Sequence, residues 1–298
     1  MRKFLAVIVV VALAAALMIP ASAAVADGKF VTSNEAPVGA KFALDLNKDF
    51  TISLYVTADS YQFASPIVWV GSVNQSPENW IGIWHDFEDH GPTLGSNDAD
   101  GHRLGVQGKK DTVAGVENLF VTIVVSDGEG TLYYDGVAVA NTNDDAFQTT
   151  WATVVDDPSE LSLPDPTTAE DCAVYLSANA WGDGHANASY DELSIYNRAL
   201  TADEVAALYA AGGDASAAAD GLVGYYKFEG NLNNEVEGGV AGVLSAANVN
   251  DPAPADESTE TPDDGKQPDE APETGFATIA LAIAAIGSGA YVVSKKKH

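Results

Sequence analysis

Basic residues are scarce in this chain. Lys and Arg number 14 against 43 Asp and Glu, a formal net charge of -29 at pH 7. That balance excludes nucleic-acid binding and docking on anionic lipid head groups, both of which need clustered cations. Cysteine is scarcer still. The single Cys172 cannot close an internal disulfide, so the fold must stand on its apolar core. Cys172 lies beside Ala173, Val174 and Tyr175, where the expectation is a buried, inert thiol and not a nucleophile.

What is present begins with the two ends. Met1-Arg2-Lys3, the apolar run Phe4–Met18 and Ala21-Ser22-Ala23 have the three regions of a secretory signal peptide, taken as residues 1–26. Cleavage falls after Ala23 or after Ala26, and the mature protein is exported. An uncleaved anchor is the alternative, but the run is short for a membrane span. At the other end, Ala271-Pro272-Glu273-Thr274-Gly275 precedes the apolar run Phe276–Val293 and the basic tail Ser294-Lys295-Lys296-Lys297-His298.

This tripartite ending (271–298, with a transmembrane helix over 276–293) resembles the LPXTG-like cell-wall sorting signal of Gram-positive surface proteins. The resemblance implies that a sortase cuts between Thr274 and Gly275 and joins Thr274 to peptidoglycan. Ala271 stands where Leu is usual, which leaves the sortase class open. A plain C-terminal membrane anchor is the alternative. Either way the folded domain lies outside the cell and meets the membrane only through this segment. Between domain and ending, residues 251–270 combine Pro252, Pro254, Pro262 and Pro268 with many carboxylates. Such a stretch cannot bury a core and reads as a disordered, extended spacer. Roughly 220 residues remain, which suits a single all-β sandwich over 27–250.

Inside that region the strands announce themselves by period. Phe42–Leu46 alternates, and Phe50–Val56 follows after the turn Asn47-Lys48-Asp49. Pro66–Gly71 and Trp80–Trp84 are further candidates, followed by a polar insertion from His85 to Gly101 and a weaker strand at Arg103–Gln107. Leu119–Val125 is a continuous apolar run, the pattern of a strand buried on both faces. Asp127-Gly128 and Asp135-Gly136 mark two hairpin turns. Residues 142–171 are polar and proline-containing, read as a long surface loop, and Ala173–Ala178 is another strand.

The most informative stretch is Tyr190–Leu200 running into Thr201-Ala202-Asp203-Glu204-Val205. Leu193 and Ile195 fall on one face, Glu192, Ser194 and Tyr196 on the other, as in a half-buried strand. Thr201 and Glu204 then form a capping box, with Leu200 and Val205 as a hydrophobic staple. Val205, Leu208 and Tyr209 give the helix an apolar stripe, and Gly212 stands where a C′ glycine would stop it.

A strand leading through Asn197-Arg198-Ala199-Leu200 into a short capped helix resembles the closing element of laminin-G-like, concanavalin A-like lectin/glucanase jelly-roll domains. Phe50–Val56 and Leu132–Ala140 resemble two further units of that family. The implied fold is an all-β jelly-roll sandwich with one short helix. Leu222–Asn231 resembles the family's first strand, yet it comes last. Either the domain is circularly permuted, with 222–230 as a displaced first strand, or a second domain starts here. Too little chain follows Asn250 for another sandwich, which favours permutation.

The resemblance implies three kinds of site. A structural calcium ion would use Asp191, Asn231 and Asn234, although the family often has Asp where this chain has Asn234. A sandwich-fold glycoside hydrolase would use a Glu-x-Asp-x-Glu strand. Asp86 and Glu88 share a face, but Trp84 stands in the first glutamate's place, and Asp191 and Glu192 are adjacent and so point apart. His85, His90 and His102 lack a recognised zinc spacing. A carbohydrate platform would use exposed rings with amides and carboxylates around them, and Trp84, His85, Trp181 and Asp183 are its candidates. Trp69 and Trp80 sit in apolar runs and are expected to be buried. The reading is thus a non-catalytic, cell-wall-anchored module that binds a glycan or a surface protein. A polysaccharide hydrolase or a structural fragment of a larger adhesin is the alternative.

Overall fold

The computed structural model describes residues 24–62, 65–73, 79–85, 93–97, 103–106, 116–139, 163–169, 171–181 and 184–247. Residues 1–23, the spacer 251–270 and the ending 271–298 with Thr274 and Gly275 lie outside them. Among the described residues no helix is long and apolar enough to cross a membrane.

The strands in chain order are β1 (Val25–Ala26), β2 (Lys29–Thr32), β3 (Gly39–Phe42), β4 (Phe50–Tyr61) and β5 (Ser65–Gly71). Next come β6 (Ile81–His85), β7 (Thr93–Asn97), β8 (Arg103–Val106), β9 (Val116–Ser126), β10 (Glu129–Tyr134) and β11 (Val137–Ala138). The last four are β12 (Ala173–Leu176), β13 (Ala186–Tyr196), β14 (Leu222–Tyr226) and β15 (Val243–Ser245), with helix α1 (Ala202–Ala210) between β13 and β14. They form two antiparallel sheets. One runs β1-β2-β13-β4-β9-β10-β11 with β14 also on β13; the other runs β15-β3-β12-β5-β6-β7-β8.

Period-two alternation turns one side of each sheet inward. Ile52, Leu54, Val56, Val121, Ile123, Leu193 and Ile195 meet Phe42, Val68, Val70, Ile81, Ile83, Val174 and Leu176 in one buried core. The outer face of the first sheet is buried as well, because α1 lies on it. Val205 and Leu208 pack with Phe120, Val124, Tyr133, Tyr196 and Leu200. This is why β9 reads as a continuous apolar run. It also corrects the half-buried picture of β13, whose residues 193–196 are buried on both faces.

Local chemistry sets the ends of α1. The Thr201 side chain accepts from the Glu204 amide while the Glu204 carboxylate accepts from the Thr201 amide, so the capping box is closed. Leu200 and Val205 share one cluster, as a staple requires. Gly212 holds φ +69° and its amide donates to the Tyr209 carbonyl, ending the helix. Tyr209 departs from the expected stripe: it is 40% exposed, with its ring 6.0 Å from Phe120. The turns at Asp127-Gly128 and Asp135-Gly136 both have two successive positive φ values, the type I′ geometry that twists with its strands.

Leu222–Tyr226 does pair with β13, from Leu193 opposite Tyr226 to Tyr196 opposite Leu222. Further along the same edge of β13, β2 pairs Phe30 with Tyr190 and Thr32 with Ala188. One strand position is therefore shared by the two ends of the domain.

Four further expectations are corrected. Regular pairing stops at Phe42 and not Leu46, although Leu46 is buried and Leu44 packs on the core. The polar insertion 85–101 contains a strand, β7, whose Leu94 is buried in the sandwich. Within the supposed surface loop 142–171, Leu163 enters the core and donates its amide to Gly128, and Pro166–Thr168 forms a 3-10 turn. Cys172 is half-buried and not buried, and desolvation pushes its thiol up to about 11, so it is unreactive at neutral pH.

Candidate functional site: a tryptophan cluster on the seven-stranded sheet

The outer face of the seven-stranded sheet carries a second aromatic cluster, separate from the sandwich core. Trp69, Trp80, Ala173, Tyr175, Ala178 and Ala180 are its buried members, with Trp84 and Trp181 partly buried against them. Register explains how the rings gather. Lys41 pairs with Tyr175, Tyr175 with Trp69, Trp69 with Gly82, Gly82 with Gly95 and Gly95 with Gly105. A Cβ at Gly82 would stand 3.4 Å from the Cε3 atoms of both Trp69 and Trp84. Glycine there lets two indoles lie over the backbone.

Trp69 and Trp80 stack at 4.5 Å with their planes 7° apart. Trp181 stands perpendicular to both, 5.0 Å from each centroid, and at that distance it must present a face to the edges of the stack. Trp84 leans on Trp80 at 5.9 Å. The segment after β12 brings Trp181 here: Ser177 takes φ +50°, the buried Asn179 donates its amide to Ala247, and its Oδ1 accepts from the Trp181 amide. Trp80 is held from behind, since the buried Ser96 hydroxyl donates to its carbonyl. Two half-buried indoles thus rest on a rigid buried pair, an arrangement suited to stacking on the apolar face of a sugar ring.

Of the four expected ligand-binding residues, Trp84 and Trp181 come together. His85 ends β6 opposite Ser65 in register, and Asp183 lies outside the described residues. Trp69 and Trp80 are buried as expected, but they support the platform and do not belong to the sandwich interior. Lys41 and Tyr175 were missed. Lys41 Nζ lies 5.8 Å from the centroid of the Tyr175 ring. Only cross-strand register brings these two together.

The calcium expectation meets a different geometry. Asn234 Oδ1 accepts from the amides of Tyr225 and Val236, each at 3.0 Å, while Nδ2 donates to the Val223 carbonyl. Both lone pairs are used, so Asn234 does not fit a metal ligand. Asn231 closes a local turn, accepting from Asn233 and donating to Glu229. Asp191 Oδ1 accepts from the Glu192 amide at 2.9 Å. Burial pushes its carboxyl up to about 6; the Glu192 hydrogen bond and Lys29 oppose that, while Glu192 and Glu229 add to it. Among the described residues, no three His, Cys, Asp or Glu side chains are grouped to hold a metal. Asp191 and Glu192 do not simply point apart. A bulge spans Asp191 to Ser194, Glu192 takes φ +50°, and its carboxylate accepts from the Tyr225 hydroxyl. Asp86, Glu88, His90 and His102 lie outside the described residues.

Two antiparallel sheets, one covered by a helix and the other bearing an aromatic face, define a jelly-roll sandwich of the lectin and glucanase type. The chain belongs to the concanavalin A-like lectin/glucanases superfamily, whose family model matches residues 30–206. No curated protein has a sequence that matches it.

Among solved structures it is similar to domain 4 of a GH43 extracellular arabinanase from Geobacillus stearothermophilus, in complex with arabinotriose. Identity is 20%, the match covers 61% of this chain and 76% of that one, and the TM-score is 0.44. A Trypanosoma rangeli sialidase is 19% identical over 62% of this chain but only 27% of its own, with a TM-score of 0.43. A heptameric pentraxin from Limulus polyphemus is 13% identical, with coverages of 60% and 79% and a TM-score of 0.41.

Proposed function

We propose that this protein is a non-catalytic binding module that takes a glycan on the outer face of its seven-stranded sheet. The observation that carries the reading is the placement of Trp84 and Trp181 over the stacked Trp69–Trp80 pair. Indoles fixed this way lose little side-chain freedom when a sugar stacks on them, so more of the contact energy survives as affinity. The module is exported by its N-terminal signal and held at a Gram-positive cell wall through Thr274, on the acidic spacer 251–270. Ala24 and Val25 are buried and β1 pairs with β2, which favours signal cleavage after Ala23 over Ala26.

The test is a glycan array probed with the full chain in detergent, with calcium and with chelator. Saturable binding that is lost in Trp181→Ala supports the platform. Because Asn234 does not fit a calcium ligand, chelator should leave binding unchanged. No binding in either condition overturns the glycan reading and points to a protein ligand.

A further inference from the structure

The acidic excess of the chain is not spread evenly over the sandwich. The helix-covered sheet has Asp59, Glu117, Glu129, Asp191 and Glu192 within its strands. The seven strands of the tryptophan-bearing sheet contain no Asp or Glu at all. Their lysine and arginine are Lys41 on β3 and Arg103 on β8.

The surroundings of the described basic side chains can be compared. Lys48 pairs with Asp127 at 3.1 Å, and Arg198 pairs with Glu204 at 2.6 Å and Asp220 at 3.3 Å. Lys29 lies in the field of Asp191, and Lys227 in that of Asp214. Among the described residues Lys41 makes no ion pair. Its Nζ lies 5.8 Å from the centroid of the Tyr175 ring, much as Lys227 lies 5.2 Å from that of Tyr225, and Tyr175 feels the Asp171 carboxylate. In a chain with 43 carboxylates and 14 basic residues, what sets Lys41 apart is its place. It is a half-buried lysine without an ion pair among the described residues, in register with Tyr175 and Trp69 on strands that carry no Asp or Glu. Stacking on an aromatic ring holds the ammonium in place without neutralising it.

We infer that Lys41 is the anion-recognising end of the tryptophan platform, and that the ligand is an acidic oligosaccharide bearing carboxylate or sulfate groups. This rests on the glycan reading above. Lys41 is two strand spacings from Trp69, about 10 Å, so one sugar ring cannot reach both. The ligand spans at least two residues, one stacked near the indoles and one presenting its anionic group to Lys41 Nζ. Carboxylates on the opposite sheet do not cancel this attraction, because exposed charges are screened beyond about 8 Å at physiological salt.

The experiment compares polygalacturonate and heparin fragments with neutral arabinan and mannan fragments of equal length. The full chain is used in detergent, as wild type, Lys41→Gln, Lys41→Arg and Trp181→Ala. The expected result is a preference for at least one acidic ligand that Lys41→Gln lowers about tenfold, the scale of one charge-assisted hydrogen bond. Lys41→Arg should restore it, neutral ligands should not respond to position 41, and added salt should weaken only the acidic ones. Because heparin carries both groups and polygalacturonate only carboxylates, binding to heparin alone assigns the contact to sulfate, and binding to polygalacturonate shows that a carboxylate suffices. Neutral ligands binding as well as acidic ones, with Trp181→Ala abolishing both, would overturn this inference and leave the glycan reading standing. No saturable glycan binding at all would remove both.

Discussion

Phe30 and Phe228, from opposite ends of the domain, pack with their ring centroids 6.1 Å apart. Both are buried, and around them Phe42 meets Tyr226 at 4.5 Å and Phe228 at 6.4 Å. The contact exists because β2 and β14 occupy successive stretches of one edge of β13. The two ends of the domain therefore meet along one edge of β13; a circular permutation is the proposal that accounts for this meeting.

Deleting everything after Gly221 should therefore destroy the cooperative fold and not merely shorten the chain. It removes β14, β15 and Phe228, and uncovers Leu193, Ile195, Phe30 and Phe42 in the middle of the core. A milder version is Phe228→Ala, expected to cost about 3–5 kcal/mol. Urea unfolding followed by far-UV circular dichroism reads both. If the deleted chain melts cooperatively at the wild-type midpoint, β14 is dispensable and the permutation account fails.

Thr201→Ala should destabilise the domain by about 1 kcal/mol, the usual worth of an N-cap. The Thr201 hydroxyl is the acceptor for the Glu204 amide, and the returning Glu204 carboxylate also holds Arg198 at 2.6 and 3.0 Å. Thr201→Ser keeps the acceptor and should fall within a few tenths of wild type, since serine caps as well as threonine. Equal losses in both variants would show that the hydroxyl is not what stabilises the helix start.

The cap was legible in the sequence because all of its determinants lie within a few residues of one another. The same holds for the two Asp-Gly turns and for the β9 run, and the pairing of Leu222–Tyr226 with β13 followed from family resemblance. What stayed hidden depends on the third dimension. A period-two count cannot see that a helix will land on Tyr196, or that a bulge at Asp191 will interrupt the alternation. β7 was masked by composition: Thr93-Leu94-Gly95-Ser96-Asn97 has one apolar side chain, and its place is set by pairing with β6. Trp84 and Trp181 could be suspected one by one. Their meeting over Trp69 and Trp80, and the nearness of Lys41 to Tyr175, required strands far apart in sequence to be neighbours in the sheet.

Asp191 should make this domain more stable as the pH falls from about 7 toward 5, against the usual trend for a paired carboxylate. Burial is the main reason that its folded-state value rises to about 6, and the nearby Glu192 and Glu229 carboxylates add to it. In the unfolded chain an Asp titrates near about 3.9. Between those two values the folded state binds the proton and the unfolded state does not, so stability declines as pH rises through this window. Above about 7 the charged form is present in both states and the full penalty applies. Below about 4 both states are protonated and the folded state is free of it.

Asp191→Asn keeps the Oδ1 that accepts from the Glu192 amide but carries no charge, so it isolates this one group from the titration of every other carboxylate. The comparison is of urea midpoints for wild type and Asp191→Asn at several pH values from 4.5 to 7.5. The variant should be the more stable at the upper end, with the difference shrinking as the pH falls. A difference that stays constant across the range, or a variant weaker at pH 7.5, would mean that the Asp191 carboxylate is better solvated, or better served by Lys29, than its half-buried position in the bulge implies.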